Sequence, residues 1–148
     1  PSTSWYSNVR SNVTKKEWDN IRKKSYSLAD NKCEICGSTG LMQGYKHRVE
    51  CHEVWHYNDV LATQTLTGLI SLCPNCHKSK HVGLARIKNQ EHIVINQLST
   101  INNISTTEAI NYINESFNIW QQRSSKNWEL DITYLDDYLK KDLLFGDF

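Results

Sequence analysis

Leu72-Cys-Pro-Asn-Cys-His-Lys-Ser-Lys-His81 decides how the rest of the chain is read. Two thiols in a Cys-x-x-Cys turn lead straight into two histidines at i and i+4, the spacing that sets side chains on one face of a helix. Upstream stands a matching pair, Cys33-Glu-Ile-Cys36, and 36 residues separate the two pairs. Each pair offers two ligands from a single turn. Cys33, Cys36, Cys73 and Cys76 together complete a closed tetrahedral zinc site with no position left for water, so the zinc is structural. The alternative is a set of coincidental core cysteines. Gly37 gives the first turn the backbone freedom that a metal-wrapping loop demands. Cys51, the fifth cysteine, reads as a small core residue.

Between the pairs lies Cys51-His-Glu-Val-Trp-His56. Alternation over 45–55 predicts a strand with His47, Val49 and Cys51 on one face and Arg48, Glu50 and His52 on the other. A second strand is expected over Leu66–Cys73, with Leu66, Ile70 and Leu72 inward, after a turn at Tyr57-Asn58-Asp59 and a loop or short strand over 60–65. A strand-borne histidine or carboxylate set beside His77 and His81 would complete a second metal site with open water positions, a catalytic arrangement. Otherwise His77 or His81 replaces a thiol in the zinc shell or faces solvent.

The flanks read as helices. Thr14-Lys-Lys-Glu17 is a capping box for a helix over 15–29, with Trp18, Ile21, Ser25 and Leu28 inward. Lys16, Arg22 and Lys23 fall on its other face, as solvated charges or as phosphate contacts. A helix opens at His77, with Gly83 limiting its extension. Another spans 90–101 on Val94, Leu98 and Ile101. Ser105-Thr-Thr-Glu108 begins a further helix over 106–123, striped by Ile110, Ile113, Phe117 and Trp120. Trp128–Tyr134 alternates as a final short strand, and the acidic tail beyond Tyr138 is expected to fray.

With 148 residues and 39% apolar content, the chain is long enough for one domain and one real core. The reading is α+β: a basic helical segment 1–32, a zinc-stapled core 33–88 and a helical extension 89–148 with an acidic tail. No apolar run approaches a bilayer span and no signal pattern opens the chain, so a soluble, cytoplasmic protein without membrane contact is expected. In that compartment paired cysteines hold metal rather than disulfides. The net charge of +1 hides a polarity. Seven Lys/Arg against three acids fill 1–32, and Lys78, Lys80, Arg86 and Lys88 stand without an acid in 77–90, while 129–148 holds six acids against two lysines. Local charge decides whether a polyanion docks.

In these motifs the chain resembles the HNH (ββα-metal) nucleases: Cys33-Glu-Ile-Cys36-Gly, Glu50-Cys-His-Glu-Val-Trp55 and Leu72 to His81. The match covers about residues 33–83, and the flanks resemble small bacterial or phage HNH proteins. The resemblance implies two strands and a helix around one divalent ion, Mg²⁺ or Mn²⁺, and DNA hydrolysed to 5′-phosphate and 3′-hydroxyl ends. His52 then falls in the strand motif, and His77 and His81 fall where the helix supplies metal ligands. The strand motif usually reads Asp-His or His-His, whereas here it reads His52-Glu53. Either His52 is the general base, the preferred reading because imidazole is unionised near neutrality, or His52 is a ligand and Glu53 the base or a coordinating carboxylate. The family's middle asparagine falls on Gly68, so its task passes to another group such as Asn58 or goes undone; Asn75 is not its equivalent.

Phosphates would be gripped by Lys16, Arg22, Lys23, Lys78, Lys80 and Arg86. His47 and His56 are expected at the surface or behind the ligands, and His92 at the surface. A non-cleaving zinc-stapled nucleic-acid-binding module is the alternative, and RNA a third, with Trp5, Tyr6, Tyr45, Trp55 and Tyr57 able to stack on bases. One active site makes one nick, so a double-strand cut would need a homodimer or two encounters.

Overall fold

The computed structural model describes residues 1–4 and 6–145, with side chains through residue 140. Trp5, the Asp142 side chain and Asp147 therefore lie outside the described residues. The architecture is α+β, with a small three-stranded sheet and a four-cysteine cluster.

Chain order is α1 (Val9–Asn12), α2 (Lys15–Leu28), β1 (Glu50–Asn58), β2 (Thr63–Leu72), α3 (Pro74–Lys80), α4 (Val82–Ile87), α5 (Glu91–Asn102), α6 (Thr106–Arg123), β3 (Glu129–Asp131) and α7 (Tyr134–Phe145). Both capping boxes form. Thr14 and Glu17 close the N-terminus of α2, and Ser105 and Glu108 that of α6, each satisfying two otherwise free backbone N–H groups.

β1 and β2 form an antiparallel hairpin running in register from Glu50↔Leu72 to Asn58↔Thr63, with an irregularity between Val54 and Trp55. β2 also pairs in parallel with β3, through Thr63↔Glu129 to Thr65↔Asp131. The first strand starts at Glu50 rather than 45. Residues 46–48 bend, because Gly40 N–H donates to Arg48 O and ties the loop back to the first cysteine turn. The expected turn at Tyr57-Asn58 is strand instead, and Asn58 Oδ1 caps the true turn by accepting from the N–H groups of Val60 and Leu61.

The two faces of the hairpin are buried differently. On one, Val9, Ile21, Leu66 and Leu135 form a core with Trp18, Trp55, Leu69, Tyr138 and Leu139 around it. Full burial of a side chain such as Ile21 or Leu66 stabilises by about 2 kcal/mol. On the other face, Leu72 and Ile70 pack against the cysteines. Ala85, Val94 and Ile113 form a third cluster where α4, α5 and α6 meet.

Three expectations are corrected here. Leu28 is exposed, because α2 ends there and the chain turns away through Asp30 and Asn31 at positive φ. The stripe of α6 is Ala109, Ile113 and Phe117, whereas Ile110 and Trp120 face outward. The region beyond Tyr138, expected to fray, is helical as α7 to Phe145, with Leu135, Tyr138 and Leu139 packed in the first core.

Candidate metal centres

The cysteine cluster is assembled by backbone. Gly37 takes a φ of +74°, and its N–H donates to Cys33 O at 2.8 Å, closing the first turn. Glu34 then clamps that turn to β2. Its N–H donates to Ser71 O, and its Oε2 accepts from Ser71 N–H at 2.6 Å. Cys73 caps α3, with Pro74 following it as the first helical residue. The sulfurs of Cys33, Cys36, Cys73 and Cys76 lie within 4.8 Å of one another, and all five cysteines are free.

Thiols packed this closely resist ionising together. Burial pushes the Cys36 thiol up to about 11 and raises Cys76 further. Cys33 feels burial too, but backbone hydrogen bonds around it bring it down to about 7. Gln43 Nε2 and Gln97 Nε2 donate to the sulfurs of Cys73 and Cys76 at 3.2 and 3.1 Å, as donors do to sulfurs carrying negative charge. Four convergent sulfurs with N–H donors behind them fit a structural zinc ion. Cys51 is not among them. It lies beside Ser25, with its thiol raised to about 11 by burial.

A second cluster stands apart from the first. The ligand nitrogens of His52, from β1, and of His77 and His81, from α3 and its C-terminal cap, also lie within 4.8 Å of one another. Ring centroids are 4.7–5.2 Å apart and edge-on, and His77 Nε2 lies 3.1 Å from His81 Nε2. The helix that carries them breaks at His81, before Gly83, yet the i, i+4 spacing still brings the two rings together. Neither histidine enters the sulfur cluster.

Burial, then His81, His77 and Lys80, drives the His52 imidazole down to about 3, so it is neutral at physiological pH. Burial lowers His81 as well. His77 Nδ1 donates to Glu50 Oε2 at 3.0 Å, leaving Nε2 free to face the other two rings. That bond holds the Glu50 carboxyl below the usual carboxylate range. Glu50 Oε1 lies 3.3 Å from His47 Nε2, so His47 shares the Glu50 side rather than the Cys51 face.

The chain matches no family model, no curated protein and no solved structure.

Glu53 is not brought to the histidines. It points to the other face of β1, where Oε1 accepts from Val9 N–H at 2.9 Å and Oε2 from Trp55 Nε1 at 3.1 Å. Burial raises its carboxyl. Gly68 faces Val54 across the hairpin, and Asn58 is spent on the turn, so neither serves the histidine cluster.

The cations divide into free and engaged. Lys16, Lys23 and Lys80 are exposed. Arg22 is paired with Asp19, Lys78 bonds the Tyr45 hydroxyl and lies over its ring, and Arg86 forms a bidentate pair with Glu91 above Phe117. Arg86 therefore ties α4 to α5. Tyr6 is exposed, while Trp55 packs into the first core and Tyr57 packs on Trp128 and Arg123. His56 and His92 are exposed. Glu50, Gln43 and Gln97 escape sequence reasoning as site residues because their partners lie 27, 30 and 21 residues away.

Proposed function

We propose that the chain is a metal-dependent endonuclease that hydrolyses DNA phosphodiester bonds. The observation that carries the reading is the convergence of His52, His77 and His81 on a hairpin and helix stapled by four thiols. The order of parts, two antiparallel strands followed by a helix, matches what the HNH resemblance implies.

His77 and His81 would hold the divalent ion, with Glu50 orienting His77. The ion would polarise a phosphate oxygen and stabilise charge on the leaving 3′-oxygen. His52, half-buried and neutral, would accept the proton of the attacking water. Glu53 takes no part, because both its oxygens are occupied on the opposite face. Imidazole nitrogens suit transition metals, whereas Mg²⁺ favours oxygen ligands, so the donor set is a better match for Mn²⁺ than for Mg²⁺.

A non-cleaving binding module is favoured by one observation: the three rings are close enough to share one ion, which would leave no imidazole as base. Supercoiled plasmid with wild type, His52→Ala and His77→Ala, each in Mn²⁺, in Mg²⁺ and without either, separates the readings. Metal-dependent nicking lost in both variants supports the enzyme. DNA binding with no nicking in any metal supports the module.

A further inference from the structure

A cleft of about 670 Å³ runs beside the edge of β1, lined by Arg10, Lys15, Trp18, Arg22 and Tyr26 with Asp19, Glu50 and Cys51. It lies against α1 and α2, yet it shares Glu50 with the histidine cluster: Glu50 lines the cleft, and its carboxylate holds His77. The two sites are therefore separated by a single residue of one strand.

The charges of the cleft do not cancel. Asp19 is neutralised by Arg22 at 3.0 Å, and the Glu50 carboxylate, hydrogen-bonded by His77 and His47, stays negative and offsets one further cation. Arg10 and Lys15 are exposed and make no ion pair among the described residues. The surplus is one positive charge, carried by two cations without ion-pair partners at an opening that also holds an indole and a phenol. Tyr26 lines it beside Arg22 and Cys51.

Size excludes some occupants. A lone phosphate would fill a small part of the space, whereas small-molecule sites run to about 300–1,000 Å³. A duplex, about 20 Å across, is too wide to enter, and paired bases keep their faces hidden in the stack. An unpaired nucleotide brings both a phosphate for the cations and a ring for the aromatics.

We propose that this cleft binds one unpaired nucleotide of a nucleic-acid strand whose neighbouring phosphate crosses the edge of β1 to the histidines. The proposal rests on the nuclease reading for the identity of its ligand. It implies a preference for single-stranded or frayed substrate over intact duplex.

The test measures binding, not turnover. Zinc-loaded full-length His52→Ala, without added Mg²⁺ or Mn²⁺, is titrated by fluorescence anisotropy into a labelled single strand, its blunt duplex and an abasic strand of equal length. Arg10→Ala/Lys15→Ala is compared with Lys46→Ala/Lys88→Ala, which removes the same charge outside the cleft. Urea denaturation checks that all are folded. The expected result is an affinity for single strand about tenfold weaker in the cleft variant only, with duplex barely changed and the abasic strand bound more weakly than the intact one. Equal losses for single strand and duplex, no excess over the control pair, undiminished abasic binding, or no single-strand binding at all would overturn the cleft. A protein that passes this test but never nicks plasmid sinks the nuclease reading alone. Wild-type nicking with none of these binding differences sinks the cleft alone.

Discussion

His77 and Glu50 are joined through Nδ1 and Oε2 at 3.0 Å, although 27 residues separate them in the chain. The bond does two things. It sets the ring so that Nε2 faces His81 and His52, and it keeps a negative charge behind the imidazole, which would strengthen it as a metal ligand.

Glu50→Gln retains the shape but removes the charge. Mn²⁺ affinity, measured by calorimetry on zinc-loaded protein, is expected to fall by roughly 10–100-fold, and the urea midpoint at pH 7.5 to drop modestly as the ionic contacts to His77 and His47 are lost. The lowered Glu50 carboxyl also sets a sign. Its stabilising contribution is present above the ordinary carboxylate value and is lost as the pH falls through its lower folded value. An unchanged Mn²⁺ affinity would remove Glu50 from the site.

His52 acts on stability in the range nearer neutrality. Its folded value of about 3 lies below that of an unfolded imidazole near 6.5, so the unfolded chain binds the extra proton. Stability should therefore be full above about pH 6.5 and decline below it, by at most about 1.4 kcal/mol per pH unit and by less where solvent reaches the ring. Urea midpoints at pH 7.5, 6.5 and 5.5, without a second metal, should show a shallower decline in His52→Asn. Equal slopes would mean that His52 remains protonatable in the fold.

Glu53 provides the contrast. Glu53→Ala leaves Val9 N–H and Trp55 Nε1 without their acceptor in a partly buried setting, and should cost about 1–3 kcal/mol in chemical denaturation. Metal affinity and the rate of nicking by the folded variant should remain within a few-fold of wild type. A folded Glu53→Ala that has lost all nicking would instead return Glu53 to the chemistry.

The separation of these two neighbours shows what the sequence could carry. Alternation along β1 already sets His52 and Glu53 on opposite faces, and the i, i+4 spacing already pairs His77 with His81. Both capping boxes mark their helices to within a residue, because caps are local hydrogen bonds between residues three apart. The four thiols were legible from their spacing. What was hidden depended on distant partners. The parallel pairing of β2 with β3 brings together residues 66 apart. The anchoring of α7 depends on a core to which every third of the chain contributes, Val9 and Ile21, Leu66, and Leu135. Periodicity reports which face is apolar, not which partner covers it.

The sulfur cluster should govern the histidine cluster through α3. Cys73 and Cys76 lie in the same turn that starts the helix carrying His77, and Gln97 ties Cys76 to α5. Zinc removal by a strong chelator, or Cys36→Ser, should abolish most of the folded circular-dichroism signal along with Mn²⁺ binding, because structural zinc supplies about 10–16 kcal/mol in small zinc-dependent folds. Elemental analysis of the native protein should find one tightly held zinc. A chelated chain that stays folded and still binds Mn²⁺ would show that the two clusters are independent.

Gly40 tests the same coupling without touching a ligand. A Cβ at this position would lie 2.1 Å from His47 O and 3.1 Å from Cδ and Cγ of Pro74, the first residue of α3. Backbone bonds hold the approach from both sides, Gly40 N–H to Arg48 O at 2.7 Å and Tyr45 N–H to Gly40 O at 2.8 Å. Gly40→Ala must therefore force residues 40 and 47 apart within the loop, straining the Gly40–Arg48 bond and pressing on Pro74 at the start of α3. The expected cost is about 3 kcal/mol or more by urea denaturation, in the range of severe overpacking. Zinc should exchange faster from the variant, as followed with a colorimetric chelator. A variant of wild-type stability and exchange rate would mean that the loop can move aside without disturbing either metal centre.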